Sequence, residues 1–380
     1  MMTTNQKIGL AVALLLVVGA IVYFERLKPQ RTLPQSAEIP LPAGETAAAG
    51  SEERIAAKKQ YPRAIELVAP SGFLNAEPFS LKELVGKKVI LVDFWTYSCI
   101  NCQRTTPYLN AWYEKYRDQG LEIVGVHTPE FDFEKKRENV AAAIAKFGIK
   151  YPVVQDNDYA TWGAYDNHYW PHKYLIDIDG YIVYDHIGEG GYEETERKIQ
   201  ELLSERAAKL SLAQQVASGT VAPSGVIKVE SGNVGSPEVY FGASRNSLLG
   251  NGTPGTAGLQ TLKSPSKVLL NTLYLAGTWY FDGEFARAER AGNKIIFRYK
   301  AKNVYIVASA DSETKVQVLR DGKPLGAEKG GDIKTEEGKS VLRIKEDHLY
   351  KLIEDTGYGE HTLELIIESP GFRAFTFTFG

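Results

Sequence analysis

The run VDFWTYSCINC, residues 92–102, decides the fold of the first half of this chain. An apolar strand pattern ends at Trp95, and Cys99 and Cys102 follow with two residues between them. They are the only cysteines in the chain, so a disulfide framework is excluded and one local redox or metal pair remains. Two thiols with this spacing at the start of a helix can close a small disulfide, and the helix dipole stabilises the first thiolate. We therefore expect Cys99 to be the nucleophile and Cys102, one turn further in, to resolve the mixed disulfide.

The sequence on both sides of this run alternates between strand and helix patterns. The strand patterns are KVILVDFW, LEIVGVH, KYLIDI and YIVYDHI. Helical patterns begin just after Cys99 and cover residues 133–147 and 192–210. Strands that alternate with helices predict a three-layer α/β domain over residues 60–210. The Asp179-Gly180 turn between the last two strands predicts that this edge of the sheet is antiparallel.

Residues 237–380 have a different pattern, with short alternating runs such as KIIFRYK and TKVQVLR and without helical periodicity. This pattern predicts an all-β, jelly-roll-like sandwich. The final run AFTFTF alternates phenylalanine with threonine, so we expect one face of the last strand to be buried and the other to be wet. Trp279, Tyr280 and Phe281 have flat faces on which a sugar ring can stack, although strand alternation must put at least one of them in the core.

The N-terminus carries the uncharged run IGLAVALLLVVGAIVYF, which as a helix is long enough to cross a hydrocarbon core. Bulky and charged residues follow it directly, in place of the small residues of a cleavage site, so we expect a single uncleaved transmembrane anchor. The predicted organisation is a tail at 1–7, the anchor at 8–24, a flexible linker at 25–59, the α/β domain at 60–210, a linker at 211–236 and the sandwich at 237–380.

The charged residues indicate which partners the protein can attract and how the apolar span is oriented in the membrane. The chain has 44 basic and 47 acidic residues and a formal net charge of −3, which gives no broad attraction for nucleic acid. Lys7 precedes the apolar run and Arg26, Lys28 and Arg31 follow it, a pattern that by itself predicts cytoplasmic domains. The imbalance is small, however, and a tethered dithiol is most useful where disulfides form. We therefore expect the domains to lie in the periplasm or another extracytoplasmic space.

Several motifs resemble one family. VDFWTYSCINC resembles the active-site strand and turn of the thioredoxin superfamily, and YWPHKYLID resembles its cis-proline strand. GVHTPEFDFEK, YPVVQDND and GEGGYEETE resemble the TlpA-like, periplasmic thioredoxin-like domain of DipZ-type thiol:disulfide interchange proteins. SPEVYFG, GTWYFDGE and AFTFTFG resemble the carbohydrate-binding-module-like domain that follows it in that family. Family members also carry a multi-helix electron-transfer membrane domain, whereas this sequence has a single apolar span, so the resemblance implies a separate electron donor.

By position, the resemblance implies roles for further residues. Asp93 matches the buried acid behind the inner cysteine, where a desolvated carboxyl has a raised pKa and exchanges a proton with Cys102. The alternative is a strand-end aspartate in solvent. Pro171 matches the cis-proline that faces the sulfurs and exposes the backbone of Trp170 to an extended substrate, the alternative being a trans proline that opens an edge strand. Trp95 matches an aromatic residue beside the active site, although an unmatched tryptophan is more often plain core.

His172 follows the proline directly, and a cationic imidazole there would stabilise a thiolate. A solvent-facing histidine is the simpler interpretation. We place Trp170, Trp95 and His172 together as candidate substrate-binding residues.

These patterns predict a membrane-anchored thiol:disulfide oxidoreductase that reduces disulfides of exported proteins. The Cys99-Cys102 pair would need no further cofactor, and the electron donor would be another redox protein, such as an integral-membrane thiol carrier.

Other interpretations stay open. One is an envelope protein whose sandwich binds glycans on a non-catalytic thioredoxin-like scaffold, and another is a peroxidase of the peroxiredoxin type. Half of a zinc site is disfavoured because the sequence offers no third cysteine and no paired histidines. Asp177-x-Asp179-Gly180 resembles the opening of a calcium loop but lacks the closing glutamate, so a turn is favoured.

Overall fold

The computed structural model describes residues 58–226 and 231–380. The predicted tail, the predicted anchor at residues 8–24 and most of the predicted linker at 25–59 lie outside the described residues. Within the described ranges, no helix combines the length and the apolar character that a bilayer crossing requires.

The first sheet has six strands and follows the predicted strand patterns. In chain order they are β1 Gly72–Leu74, β2 Val89–Trp95, β3 Leu121–His127, β4 Val153–Gln155, β5 His172–Ile176 and β6 Ile182–Ile187. Their order across the sheet is β1-β4-β3-β2-β5-β6. β2, β3 and β4 are mutually parallel. β5 is antiparallel to β2, and β6 is antiparallel to β5, as the turn signal predicts.

Five α-helices accompany this sheet: α1 Leu81–Leu84, α2 Ile100–Tyr116, α3 Arg137–Phe147, α4 Ala160–Ala164 and α5 Tyr192–Lys209. The predicted helix over 133–147 is interrupted, because Asp132–Lys135 form a 3-10 turn and Lys136 is extended before α3 begins. Side chains of β2 alternate between two apolar clusters, one shared with α2, α3 and α5 and the other with α1. The prediction of a three-layer, thioredoxin-like α/β fold is confirmed.

The C-terminal part is rich in antiparallel strands: β7 Val239–Tyr240, β8 Gly258–Leu262, β9 Leu273–Phe281, β10 Ala286–Ala288, β11 Lys294–Ala310, β12 Thr314–Arg320, β13 Lys323–Pro324, β14 Ile333–Glu336, β15 Lys339–Ile344, β16 His348–Ile367 and β17 Phe372–Phe379. The prediction of a β-rich domain is confirmed. Its strands form one continuous hydrogen-bonded network, not two separate sheets. The reason is that β11 pairs with β9 near its start and with β17 near its end, so one long strand serves both halves.

The aromatic trio of β9 does not form a flat exposed surface. Trp279 and Phe281 are fully buried in the core of the β-rich domain, and the indole nitrogen of Trp279 donates to the Ala276 carbonyl at 3.0 Å. Tyr280 is half-buried beneath the guanidinium of Arg287, 5.0 Å from its ring centre. Two of the three aromatic faces are therefore unavailable to a sugar ring.

The last strand departs from its predicted alternation. A bulge between Val307 and Ala308 shifts the pairing of β11 with β17, and Phe375 has no Cα partner on β11 there. Phe377 stays in the core of the β-rich domain, while Phe375 joins the core cluster of the α/β domain. Thr376 and Thr378, expected on a wet face, are buried and line a cleft that residues of both parts form.

The two parts pack directly on each other. Phe375 contacts Phe131 and Phe133 of the α/β domain, with ring centres 5.2 and 4.8 Å apart. The Tyr97 hydroxyl donates to the backbone oxygen of Asp347 at 3.3 Å. Residues 211–226 connect the parts without helix or strand, and Val216, Ala217 and Val221 pack on the α/β core.

The Asp177-x-Asp179-Gly180 motif forms the turn between β5 and β6. The Asp177 carboxylate accepts from the backbone nitrogens of Asp179 and Tyr181, both at 2.9 Å. Asp177, Asp179 and Glu205 lie close enough together to hold a cation, and the ammonium of Lys58 lies among them, 2.7 Å from Asp177. Lys209 also pairs with Asp179, so two lysines partly neutralise the three carboxylates.

Candidate active site

The cysteine pair lies where β2 turns into α2. Cys99 is the N-cap residue of α2, with extended backbone, and its Sγ accepts from the backbone nitrogen of Cys102 at 3.3 Å. Cys99 is partly exposed and Cys102 is buried at 2% exposure, and both are thiols in this structure. One sulfur can thus meet a substrate while the other lies behind it.

Cys102 sits in an apolar core, where a thiolate is poorly solvated. Desolvation, followed by the neighbouring Cys99 sulfur and the charge of Asp93, raises the pKa of the Cys102 thiol well above its usual value. Cys102 therefore needs a proton acceptor before it can attack.

Asp93 lies within β2 on the face of Cys102 and is 2% exposed. This excludes the solvent-exposed alternative. Burial raises the pKa of its carboxyl to about 7, and the positive charge of Lys173 limits the rise. A carboxyl with this pKa changes its protonation at neutral pH, as an acceptor for the Cys102 proton must.

Lys173 was missed by the sequence analysis. It lies opposite Asp93 in the β2–β5 register, its side chain is fully buried, and its ammonium donates to the Gly188 carbonyl at 2.9 Å. Desolvation lowers its pKa, opposed by the charge of Asp93. The available signal was a lysine inside the apolar run KYLID, two positions after Pro171.

The turn at Trp170 and Pro171 faces Cys99. Their peptide bond is cis, and the Cys99 Sγ lies 3.9 Å from the backbone oxygen of Trp170. The indole nitrogen of Trp170 donates to the Thr128 carbonyl at 3.1 Å and holds the ring at the rim of the site. The sequence-predicted Trp170 and Pro171 are therefore next to the cysteine pair.

Trp95 is buried in the same apolar cluster as Cys102, so it forms part of the wall of the site. It packs edge-to-face on His127, whose ring also stacks on Tyr97. His127 is fully buried and desolvation lowers its pKa to about 3, so the imidazole is neutral. The role of His127 in this wall was not predicted.

His172 does not reach the sulfurs. It is buried, with 6% exposure, opposite Phe94 in the register and on the other face of the sheet. Its ring nitrogens contact Asn167 at 2.7 Å and Asp185 at 2.9 Å. Both the thiolate-stabilising and the solvent-facing interpretations are wrong, because alternation along β5 points His172 away from the cysteines and turns the next residue toward them.

A second buried acid fixes the loop before the cysteines. Glu134 accepts from the backbone and hydroxyl of Ser98, at 3.2 and 2.7 Å, and from the backbone nitrogens of Glu130 and Phe131. It therefore ties the residue before Cys99 to the loop after β3. Glu134 lies in the motif GVHTPEFDFEK, and its role was not predicted.

Together these groups provide the parts of a thiol–disulfide exchange site. The site has a partly exposed sulfur at a helix N-terminus, a buried second sulfur that interacts with the first, and a carboxyl whose pKa is about 7.

Two family descriptions match the chain. Residues 63–185 match the AhpC/TSA family, and residues 236–380 match the family described as Thioredoxin like C-terminal domain. The chain is also 37% identical over 318 residues to Protein DipZ of Mycobacterium tuberculosis, which covers 83% of this chain and 42% of that protein. The chain thus spans about two fifths of the length of the DipZ proteins it matches.

Shorter relatives match the α/β domain. The chain is 31% identical over 140 residues to Thiol-disulfide oxidoreductase YkuV of Bacillus subtilis, which covers 37% of this chain and 93% of that protein. It is 33% identical over 129 residues to Thiol-disulfide oxidoreductase ResA of Bacillus thuringiensis, which covers 34% of this chain and 71% of that protein. Since more than two thirds of each of these relatives is matched, the predicted resemblance is confirmed, and the chain belongs to the thioredoxin-like thiol-disulfide oxidoreductases.

Proposed function

We propose that this protein reduces disulfides of exported proteins through the Cys99-Cys102 dithiol. The observation that supports this most directly is the pairing of a partly exposed Cys99 sulfur with a buried Cys102 and a buried Asp93. The direction of exchange depends on the donor that resets the pair, and we assign that role to a separate redox protein.

The reaction consumes one substrate disulfide. The Cys99 thiolate attacks one sulfur of the substrate, the substrate S–S bond breaks, and the other substrate sulfur leaves as a thiolate that takes up a proton. Cys102 then gives its proton to Asp93 and attacks the Cys99 sulfur. The mixed disulfide between Cys99 and the substrate breaks, and the second substrate sulfur leaves as a thiolate that takes up a proton. Two electrons pass to the substrate, and the protein keeps a Cys99-Cys102 disulfide that a donor dithiol reduces.

The test is reduction of a protein disulfide by the purified protein with dithiothreitol as donor. We expect Cys99→Ser to remove the activity and Cys102→Ser to accumulate a mixed disulfide that mass spectrometry detects. Wild-type activity no higher than that of Cys99→Ser rejects the proposal. A reduction potential near −270 mV, the value typical of thioredoxin, supports net reduction, whereas a value of about −120 mV supports net oxidation.

We further propose that residues 8–24 anchor the protein and that its domains lie outside the cytoplasm. The support is the sequence: an uncharged span of sufficient length and a dithiol pair suited to a compartment where disulfides form. Protease digestion of spheroplasts tests this. Degradation of the domains without lysis is expected, and protection until lysis contradicts it.

A peroxidase activity is the second candidate, because residues 63–185 match the AhpC/TSA family. Hydrogen peroxide consumption in the presence of dithiothreitol tests it directly. We expect none above the dithiothreitol background, because Cys99 lies at the rim of a cleft that is large enough for a polypeptide segment.

A further inference from the structure

A cleft of about 370 Å³ opens in front of Cys99, and both parts of the chain form it. Cys99 and Trp170 belong to the α/β wall, and Tyr240, Thr376 and Thr378 belong to the β-rich wall. The second domain therefore limits access to the reactive sulfur. The volume is at the lower end of the range for binding pockets, so it admits a few residues of a polypeptide and not a folded face.

The β-rich wall is held by contacts that cross between the two parts. The Tyr240 hydroxyl donates to the Glu130 carboxylate at 2.9 Å, and the Arg245 guanidinium pairs with the same carboxylate at 2.8 Å. Arg245 also lies 3.8 Å from the centre of the Tyr240 ring. Glu130 comes from the loop after β3, so these contacts fix the β-rich wall relative to the cysteine pair.

The charges in the cleft do not cancel. Its lining includes the carboxylates of Glu130 and Glu238, the guanidinium of Arg245 and the imidazole of His168. Arg245 neutralises Glu130, and His168 lies 3.3 Å from the carboxylate of Asp166.

Glu238 carries the second carboxyl group of the cleft, beside the ion pair of Glu130 with Arg245. The Tyr240 hydroxyl lies 2.9 Å from the Glu238 carboxylate as well as from that of Glu130, and the single hydroxyl proton serves only one of the two at a time. Among the residues that the structure describes, no ion pair includes Glu238. Its side chain is exposed to the solvent in the cleft. The charge of Arg245 also acts on the Glu238 carboxyl, but Arg245 is already paired with Glu130. Two carboxylates therefore share one guanidinium, and an entering cation meets a net negative charge.

We propose that this cleft binds the substrate as an extended polypeptide segment with a basic side chain next to its reactive cysteine, and that Glu238 determines this preference. The proposal rests on the function proposed above and names its substrate class. The segment would lie along the backbone of Trp170, as an added strand lies along a sheet edge, with the basic side chain directed at Glu238. Opposite charges across an interface give specificity and faster association.

The test compares two synthetic peptides that differ in one residue. Each has a single cysteine in a mixed disulfide with 2-mercaptoethanol, followed by either Lys or Glu. Reduced protein converts each peptide to its free thiol, releases 2-mercaptoethanol and becomes the Cys99-Cys102 disulfide. Chromatography measures the rates. We expect the wild-type protein to favour the Lys peptide about two- to fivefold at low salt, as for a partly solvated ion pair.

Three variants test whether the ratio of the two rates depends on the charge at position 238. Glu238→Gln is expected to bring the ratio of the two rates near one, and Glu238→Lys to reverse the preference. Glu368→Gln, on an exposed turn of the same domain, is the matched control and should keep the wild-type ratio. A ratio that stays at the wild-type value in both Glu238 variants overturns the proposal. A wild-type protein that reduces neither peptide contradicts the proposed function itself.

Discussion

Asp93 is the residue whose burial has the most direct chemical consequence. Its carboxyl lies in the strand beside the inner cysteine, and burial raises its pKa to about 7. It is therefore divided between its charged and neutral forms at neutral pH, the condition in which a group both accepts and returns a proton efficiently. Lys173 contributes the opposing charge that keeps this pKa from rising further.

Replacing Asp93 by Asn should slow the second step of exchange. Without the carboxylate, Cys102 has no buried acceptor for its proton, so we expect a rate loss on the order of 100-fold at pH 7. In the wild-type protein this rate should rise with pH through about 7, as the carboxyl ionises. Stopped-flow measurement of mixed-disulfide resolution between pH 5.5 and 8.5 checks both expectations.

The matched control is Asp118→Asn, at an exposed position after α2. It should keep the wild-type rate and profile. An Asp93→Asn protein with an unchanged inflection near pH 7 would show that another group accepts the proton.

His127 couples stability to pH. Its folded pKa is lowered from 6.5 to about 3 by desolvation, so the folded protein keeps the imidazole neutral while the unfolded chain takes up a proton below pH 6.5. The stability contributed by the neutral ring is complete above pH 6.5 and is lost as the pH falls toward 3, at about 1.4 kcal/mol per pH unit.

Between pH 7 and pH 5 this histidine should therefore cost the wild-type protein about 2 kcal/mol of unfolding free energy. In His127→Gln, which does not titrate, the loss over the same interval should be smaller by about that amount. Urea unfolding at pH 7 and at pH 5 measures how much unfolding free energy each protein loses, and the two losses are then compared. Equal losses in both proteins would contradict the buried, neutral imidazole.

Among the elements, β17 shows how a local irregularity links the two parts. The bulge opposite Val307 and Ala308 leaves Phe375 unpaired in the strand register and turns it into the α/β core, whereas Phe377 stays in the β-rich core. Replacing Phe375 by Ala should destabilise the protein by about 3 kcal/mol, as for other fully buried phenylalanines.

Phe377→Ala is the matched variant, because it removes the same side chain from the same strand. We expect a similar loss of stability from it in urea unfolding. Hydrogen exchange should distinguish the two: Phe375→Ala should speed exchange around Phe131 and Phe133, and Phe377→Ala should leave those amides slow. Equal protection of these amides in both variants would show that Phe375 does not support the α/β core.

The same element shows the limit of sequence patterns. The alternation in AFTFTF predicts one buried and one wet face, but alternation holds only while the register is unbroken. A bulge inserts an extra residue and is fixed by tertiary packing, so Phe375 could not be assigned to its face. The helix predicted over 133–147 is likewise interrupted, because the backbone of Lys136 is extended and α3 begins only at the next residue.

At the scale of the whole molecule, the β-rich part completes the core of the α/β part. The α/β core cluster includes Tyr305, Val307, Leu349 and Phe375 from the β-rich part. Polar contacts reinforce this interface, including that between Arg104 and the Tyr305 hydroxyl at 3.4 Å. A shared apolar core makes independent motion of the two parts unfavourable, which keeps the cleft in a fixed shape.

Both parts should therefore unfold in one cooperative transition. Hydrogen exchange mass spectrometry over a urea series follows each part separately, and we expect the two midpoints to coincide. In a protein with two unlinked domains, the midpoints would separate. Two resolved transitions would thus show that the interface adds little to stability and would weaken the case for a fixed cleft.

The sequence by itself determined the chemistry of this protein and the order of its elements, because cysteine spacing and hydrophobic periodicity are local properties of the chain. The spacing of the cysteines pointed to Cys99 and Cys102, and the resemblance of the flanking motifs to the thioredoxin superfamily pointed to Asp93 and Pro171. Only the tertiary structure decided which side chains meet across strands and domains. Register put Lys173 opposite Asp93 and turned His172 away, and docking of the β-rich part brought Glu238 to the cleft in front of Cys99. Such contacts join residues that are distant in sequence, so no local pattern encodes them.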